Sequence, residues 1–247
     1  MNVLNACRDG GPQRSHMTEH AARSTASPEE ADARTSAIVD AALDCIIMMD
    51  GAGRVVEFNP AAERTFFYRR ADALGRELAE LIVPARLRER HRQGLAHYLA
   101  TGEGPVIGRR VEMPALRADG TEFPVELAIT RIAGEPAMFT AYLRDISARV
   151  RAEQLRNARF AATQALAQAS DVAHAAASVL QAVCEHLQWE FGALWRPHGD
   201  AGPLRCETSW ARNAVGLGDF ETATRTNRLR PGEGLPGRVW EIGRAHV

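Results

Sequence analysis

The nine residues Asp145–Glu153 (DISARVRAE) separate two hydrophobic periods that one element cannot share, and this change of period constrains the fold most. Before them, Phe139, Ala141 and Leu143 alternate with Thr140, Tyr142 and Arg144, the period of a half-buried strand. After them, apolar residues recur at 155, 158, 162, 165, 169, 172, 176, 179 and 183, in steps of three and four. That spacing predicts a helix packed along one seam, as in a coiled coil, although five of the nine residues are Ala. Asp145 closes the strand pattern and Ser147 is placed to cap the helix. The seam fits either a buried helix inside one domain or a helix that carries a signal between two modules. The second is the expectation, because both flanks read as modules.

With 247 residues and 45% hydrophobic content, one or two cored domains are possible. The formal net charge of −1 gives no general attraction to nucleic acid or anionic membrane. No apolar run reaches the roughly 18 residues of a spanning helix, and MNVLNACRDGGPQRSH has no apolar leader core. A cytoplasmic location is therefore expected. Cys7, Cys45, Cys184 and Cys206 form no CxxC pair, which argues against a zinc site or disulfide framework. All 30 basic residues are Arg. Without lysine, Schiff-base, phosphate-loop and kinase-type lysine chemistry are excluded within these residues.

Residues 1–35 lack periodicity and are expected to be a disordered tail, with Met17 a second candidate start. Ile38, Val39 and Leu43 follow on one helical face. Cys45–Met49 and Val55–Phe58 read as strands about a turn at Asp50–Gly53. Asn59-Pro60 reads as a helix start, and short helical pieces continue to Ile82. A longer helix over 87–100 places Leu87, His91, Leu95 and Tyr98 on an inward face, with Arg88, Glu89 and Arg92 outward. Ile107–Leu116 and Phe123–Ile132 form a hairpin about Asp119-Gly120, in which Pro124 predicts an edge or a bulge. Met138–Arg144 completes five antiparallel strands. The class is α+β, one sheet with flanking helices.

FNPAAERTFFY, RADGTEFPVEL and YLRDISARVRAE, in this order and spacing, resemble a PAS sensory domain of the S-box type over about residues 36–147. The resemblance implies a PAS fold, with Asp145, Ile146 and Ser147 as the signal-relay joint and residues 148–168 as a signalling helix. Farther on, Ser170 is placed to cap a second helix with Val172, Ala176, Val179, Leu180, Val183 and Leu187 on one face. Trp189–Trp195 and Leu204–Trp210 read as strands. GEGLPGRVWE resembles the middle of a GAF domain, so 169–241 is expected to be the first part of a GAF-type α/β sandwich. Ile242–Val247 (IGRAHV) resembles translated sequencing adapter and is treated as a non-native tail.

The PAS resemblance puts His91 where haem-binding oxygen sensors carry their iron ligand, while Val111 stands where they carry an arginine. Haem on His91 and a purely structural histidine both remain open. In either case His91, Leu95 and Tyr98 are expected to border a cavity lined by Ile47, Met49, Leu127 and Ile129, able to take a small molecule. The flavin-type PAS signature with its reactive cysteine is absent. Glu77/Glu80 and Asp119/Glu122 read as turn or surface acids, and no GxSxG elbow occurs. Arg86, Arg88, Arg90 and Arg92 spread around their helix and form no nucleic-acid stripe. The expectation is a homodimeric sensory fragment without catalysis of its own. Its missing output is expected to be a histidine kinase, or alternatively a diguanylate cyclase, a phosphodiesterase or a transcriptional regulator.

Overall fold

The computed structural model describes residues 27–199, 202–212 and 218–244. Helix α1 (Pro28–Ala41) belongs to a unit separate from the one that begins at Leu43. It starts inside the stretch expected to lack structure. The legible signal was Ser27-x-x-Glu30: Ser27 Oγ accepts from the Glu30 N–H, and the Glu30 carboxylate accepts from the Ser27 N–H. Leu43 lies beyond the helix and is exposed, so it does not share a helical face with Ile38. The tail before residue 27, with Met17 and Cys7, lies outside the described residues.

In the next unit, β1 (Cys45–Asp50) and β2 (Val55–Phe58) close about the expected turn. Asp50 Oδ1 accepts from the N–H groups of Ala52 and Arg54, and Gly53 takes a positive φ. Helices α2 (Pro60–Phe66), α3 (Arg70–Ala73), α4 (Leu78–Ile82) and α5 (Ala85–Thr101) follow. Then come β3 (Arg110–Leu116), β4 (Glu122–Ile132) and β5 (Met138–Asp145). The antiparallel sheet runs β2-β1-β5-β4-β3. Its core holds Ile47, Val55, Phe58, Phe66, Leu81, Val125 and Phe139, each at most 2% exposed. Each large side chain so buried contributes about 1.5–3 kcal/mol.

Pro124 corrects the expectation of an edge or bulge, since β4 is an interior strand. It lies opposite Pro114 of β3, which also lacks an N–H, and the ladder to β5 begins one residue later at Val125. The missing donor is therefore not needed on either side. The Pro124 carbonyl accepts from the Ile146 N–H at 3.1 Å.

Helix α6 (Ser147–Gln168) continues from β5. It ends before the seam does, and α7 (Val172–His186) starts after a break, so the nine-position pattern spans two helices that pack on each other. The seam residues Ala158, Ala162 and Ala165 are sheltered, whereas Leu155 is exposed. A second sheet, β6 (Phe191–Pro197), β7 (Leu204–Ala211) and β8 (Arg228–Leu229), packs against α7, and α8 (Gly218–Thr226) lies on β7. Helix α9 (Gly234–Arg244) closes the described chain.

Asn59 ties these elements together at zero exposure. Its Oδ1 accepts from Ile46 N–H and Ala62 N–H, both at 2.9 Å, and its Nδ2 donates to the Asp44 carbonyl. Replacement by Ala strands two buried donors and one acceptor. Asn59→Ala should lose about 2–4 kcal/mol in chemical denaturation, with an unchanged dependence on denaturant. A loss within about 0.5 kcal/mol would mean that water replaces the amide at little cost.

Candidate functional site

Helix α5 turns a sparse apolar stripe to the sheet. Leu87, His91, Leu95 and Tyr98 are half-buried, as their spacing predicts; Arg88 joins them, and the rest of the helix is exposed. Arg88 is not outward as expected: its guanidinium donates to the carbonyls of Val83 and Glu80. Arg92 clasps Glu77 through two hydrogen bonds, 2.6 and 3.0 Å, and so pins α5 to the start of α4. Gly53 suits the β1–β2 turn through its left-handed φ of 76°, and the turn lies close enough to α5 that a Cβ there would touch Leu95 at 3.4 Å.

These contacts leave a cleft of about 350 Å³ lined by Gly51, Ala52, Gly53, Glu77, His91, Arg92, Leu95, Ala96 and Leu99. Its size is at the low end for small-ligand pockets. The structure thus brings His91 and Leu95 together, but against the β1–β2 turn. Tyr98, Ile47, Met49, Leu127 and Ile129 lie elsewhere: Leu95 and Tyr98 pack onto the core that contains Ile47, Met49 and Leu127, and Ile129 joins it half-buried. Tyr98 stands edge-on to Phe139, ring centres 5.5 Å apart. Tyr98 thus packs onto the core of the sheet and is not among the residues that line the His91 cleft. Sequence reasoning missed Glu77, Arg92 and the two glycines, because their meeting depends on the turn's approach to α5.

The second locus is the joint between β5 and α6. Asp145 Oδ1 accepts from the Ser147 N–H at 2.8 Å, and Asp145 Oδ2 accepts from Arg117 at 2.6 Å. Asp145, two residues back, thus supplies the hydrogen bond expected of Ser147, which is itself the first helical residue. Likewise Asp171, and not Ser170, caps α7 by accepting from the His174 N–H; Ser170 Oγ donates to Asp171. The Arg117 side chain is only 15% exposed, and it also donates to the Thr65 carbonyl. Its guanidinium centre lies 3.7 Å from the Phe123 ring and 5.1 Å from the Phe67 ring. Ile146 is buried below the joint. Burial raises the proton affinity of Asp145, but the bonds from Ser147 and Arg117 outweigh it and hold the carboxyl below its ordinary range.

Burial pushes the His91 pKa below its ordinary value, against the pull of Glu77 and with Arg92 adding to the fall. Among the described residues its imidazole has no hydrogen-bond partner. The folded state therefore binds fewer protons at this site than the unfolded chain does. The His91 contribution is fully present above about pH 6.5 and is lost as pH falls from there toward the lower folded pKa. Between about pH 7 and about pH 5, the thermal midpoint of the wild type should drop further than that of His91→Gln. Parallel drops would show that His91 keeps its ordinary proton affinity.

The family model described as a PAS domain matches residues 43–148. An uncharacterized protein of Azorhizobium caulinodans is 45% identical over 130 residues, 52% of this chain and 18% of its own length. Sensor protein FixL of Bradyrhizobium diazoefficiens is 34% identical over 106 residues, 42% of this chain and 21% of its own. Oxygen sensor protein DosP of Escherichia coli is 27% identical over 102 residues, 41% of this chain and 13% of its own. The chain thus spans about a fifth or less of the length of each of these relatives. The family match, the sheet order and the strand-to-helix joint agree on a PAS domain over residues 43–148.

Proposed function

We propose that this chain is the sensory part of a bacterial signal-transduction protein, acting in the cytoplasm, and that α6 relays the state of its PAS domain toward an output carried elsewhere in the parent protein. The observation that carries this is the joint itself. An interior strand of the sheet passes into a 22-residue helix through one buried residue, Ile146, and across it the Ser147 N–H donates to the Asp145 carboxylate. A displacement of β5 therefore moves the first turn of α6.

The likeness to a protein named Sensor protein FixL supports a sensory role; the output in this reading is a histidine kinase, and a cyclic-dinucleotide enzyme or a transcriptional regulator is the second reading. The GEGLPGRVWE segment and the three-stranded sheet beside α7 support a partial GAF-type unit over 169–241. The chain has no catalytic centre of its own in this reading. The stimulus is a small molecule small enough for the His91 cleft. The packing of Tyr98 on Phe139, away from the His91 cleft, supports a small ligand over haem.

Two measurements test the reading. Protein reconstituted with haem should show no Soret band; a band lost in His91→Ala would restore haem as the cofactor. The chain should sediment as a homodimer held partly through α6, and Val150→Asp with Leu155→Asp together should shift it toward monomer. A dimer that survives both changes removes α6 from the interface.

A further inference from the structure

The end of α2 breaks a rule that the rest of the domain keeps. Its C-cap is Phe67, with φ 64° and ψ 24°, the left-handed region. Between residues 43 and 148 every other positive φ belongs to a glycine: Gly53, Gly75, Gly102, Gly108, Gly120 and Gly134. A helix end of this kind favours glycine, and a bulky residue there is strained. Such strain persists where surrounding contacts hold it. Core burial is not that hold, because Phe67 is 56% exposed. What its ring does touch is the Arg117 guanidinium, which donates to Asp145. The neighbouring backbone is fixed to the same hairpin, since the Ala118 N–H donates to the Phe66 carbonyl at 2.9 Å and Arg117 donates to Thr65.

We propose that Phe67 is a positioning residue that couples the α2–α3 turn to the relay helix. Its ring steadies Arg117, Arg117 holds the Asp145 carboxylate, and that carboxylate sets the first turn of α6. The exposed ring makes the α2–α3 turn a point at which an event outside the pocket reaches α6. This rests on the reading of α6 as the relay, and adds a second input to it.

The test is amide hydrogen exchange on the full chain, followed at Ser147 and Val150, whose N–H groups donate to Asp145 and to the Ile146 carbonyl. Phe67→Gly should speed exchange there roughly three- to fivefold, the size of a partly exposed cation–π contact. Amides of β4 and β5 should stay unchanged or slow, because glycine relieves the left-handed strain. Phe67→Tyr should match the wild type. In an Arg117→Gln background, Phe67→Gly should add nothing, since the two act through one path. Unchanged exchange at Ser147 and Val150 in Phe67→Gly overturns the proposal. So does an equal acceleration across β4 and β5, which would mark ordinary destabilisation, or an effect undiminished by Arg117→Gln. Failure of the relay reading has its own sign: Asp145→Ala would leave Val150 exchange at the wild-type rate, and this proposal would fall with it.

Discussion

One buried amide holds the PAS domain in register. Asn59 has its acceptor shared between β1 and the first turn of α2, and its donor on the carbonyl just before β1. Its own backbone N–H donates to the Ile46 carbonyl. A fully buried polar side chain is tolerable only when its groups are met, so the strand, the helix start and the entry to the sheet must form together. With α2 so fixed, Phe66 lies against Phe58 and Phe123, ring centres 6.2 and 5.6 Å apart, and the core closes around that cluster.

Local chemistry made much of this legible in the chain. Asp50–Gly53 and Asn59-Pro60 carry their own hydrogen-bonding logic, and each formed as that logic predicts. Two caps were misplaced by one or two residues for a single reason. Asp145, two positions before Ser147, and Asp171, one position after Ser170, each offer a carboxylate, and a charged acceptor bonds an N–H more strongly than a hydroxyl does. The seam spacing runs through both helices because Ala169-Ser170-Asp171 keeps it while the backbone leaves the helix, and the break falls where the second helix was expected to begin. Pro124 misled because a single strand does not reveal that its partner position is also proline.

The candidate site was legible as a helix face but not as a place. Spacing alone put His91, Leu95 and Tyr98 on one side of α5. What they meet depends on Arg92 reaching back to Glu77 and on the glycine turn, contacts 15 residues and more away in sequence. Those contacts divide the stripe, with His91 facing the turn and Tyr98 facing the core. The Arg117–Asp145 pair, 28 residues apart, depends in the same way on the hairpin folding back beside the end of β5.

The paired prolines of β3 and β4 bear on how copies of this domain can meet. An open sheet edge offers unpaired backbone groups to any passing strand. Here β3, one edge, carries Pro114 and, before it on the same strand, Arg110 and Glu112, each in an ion pair. At the other edge β2 is four residues long, and Val55 exchanges hydrogen bonds with the α3–α4 connection: its N–H donates to Arg76 and its carbonyl accepts from Gly75. Both rims of the sheet are thus blunted against edge-to-edge growth, which leaves the helices and the sheet faces as the surfaces open to a partner.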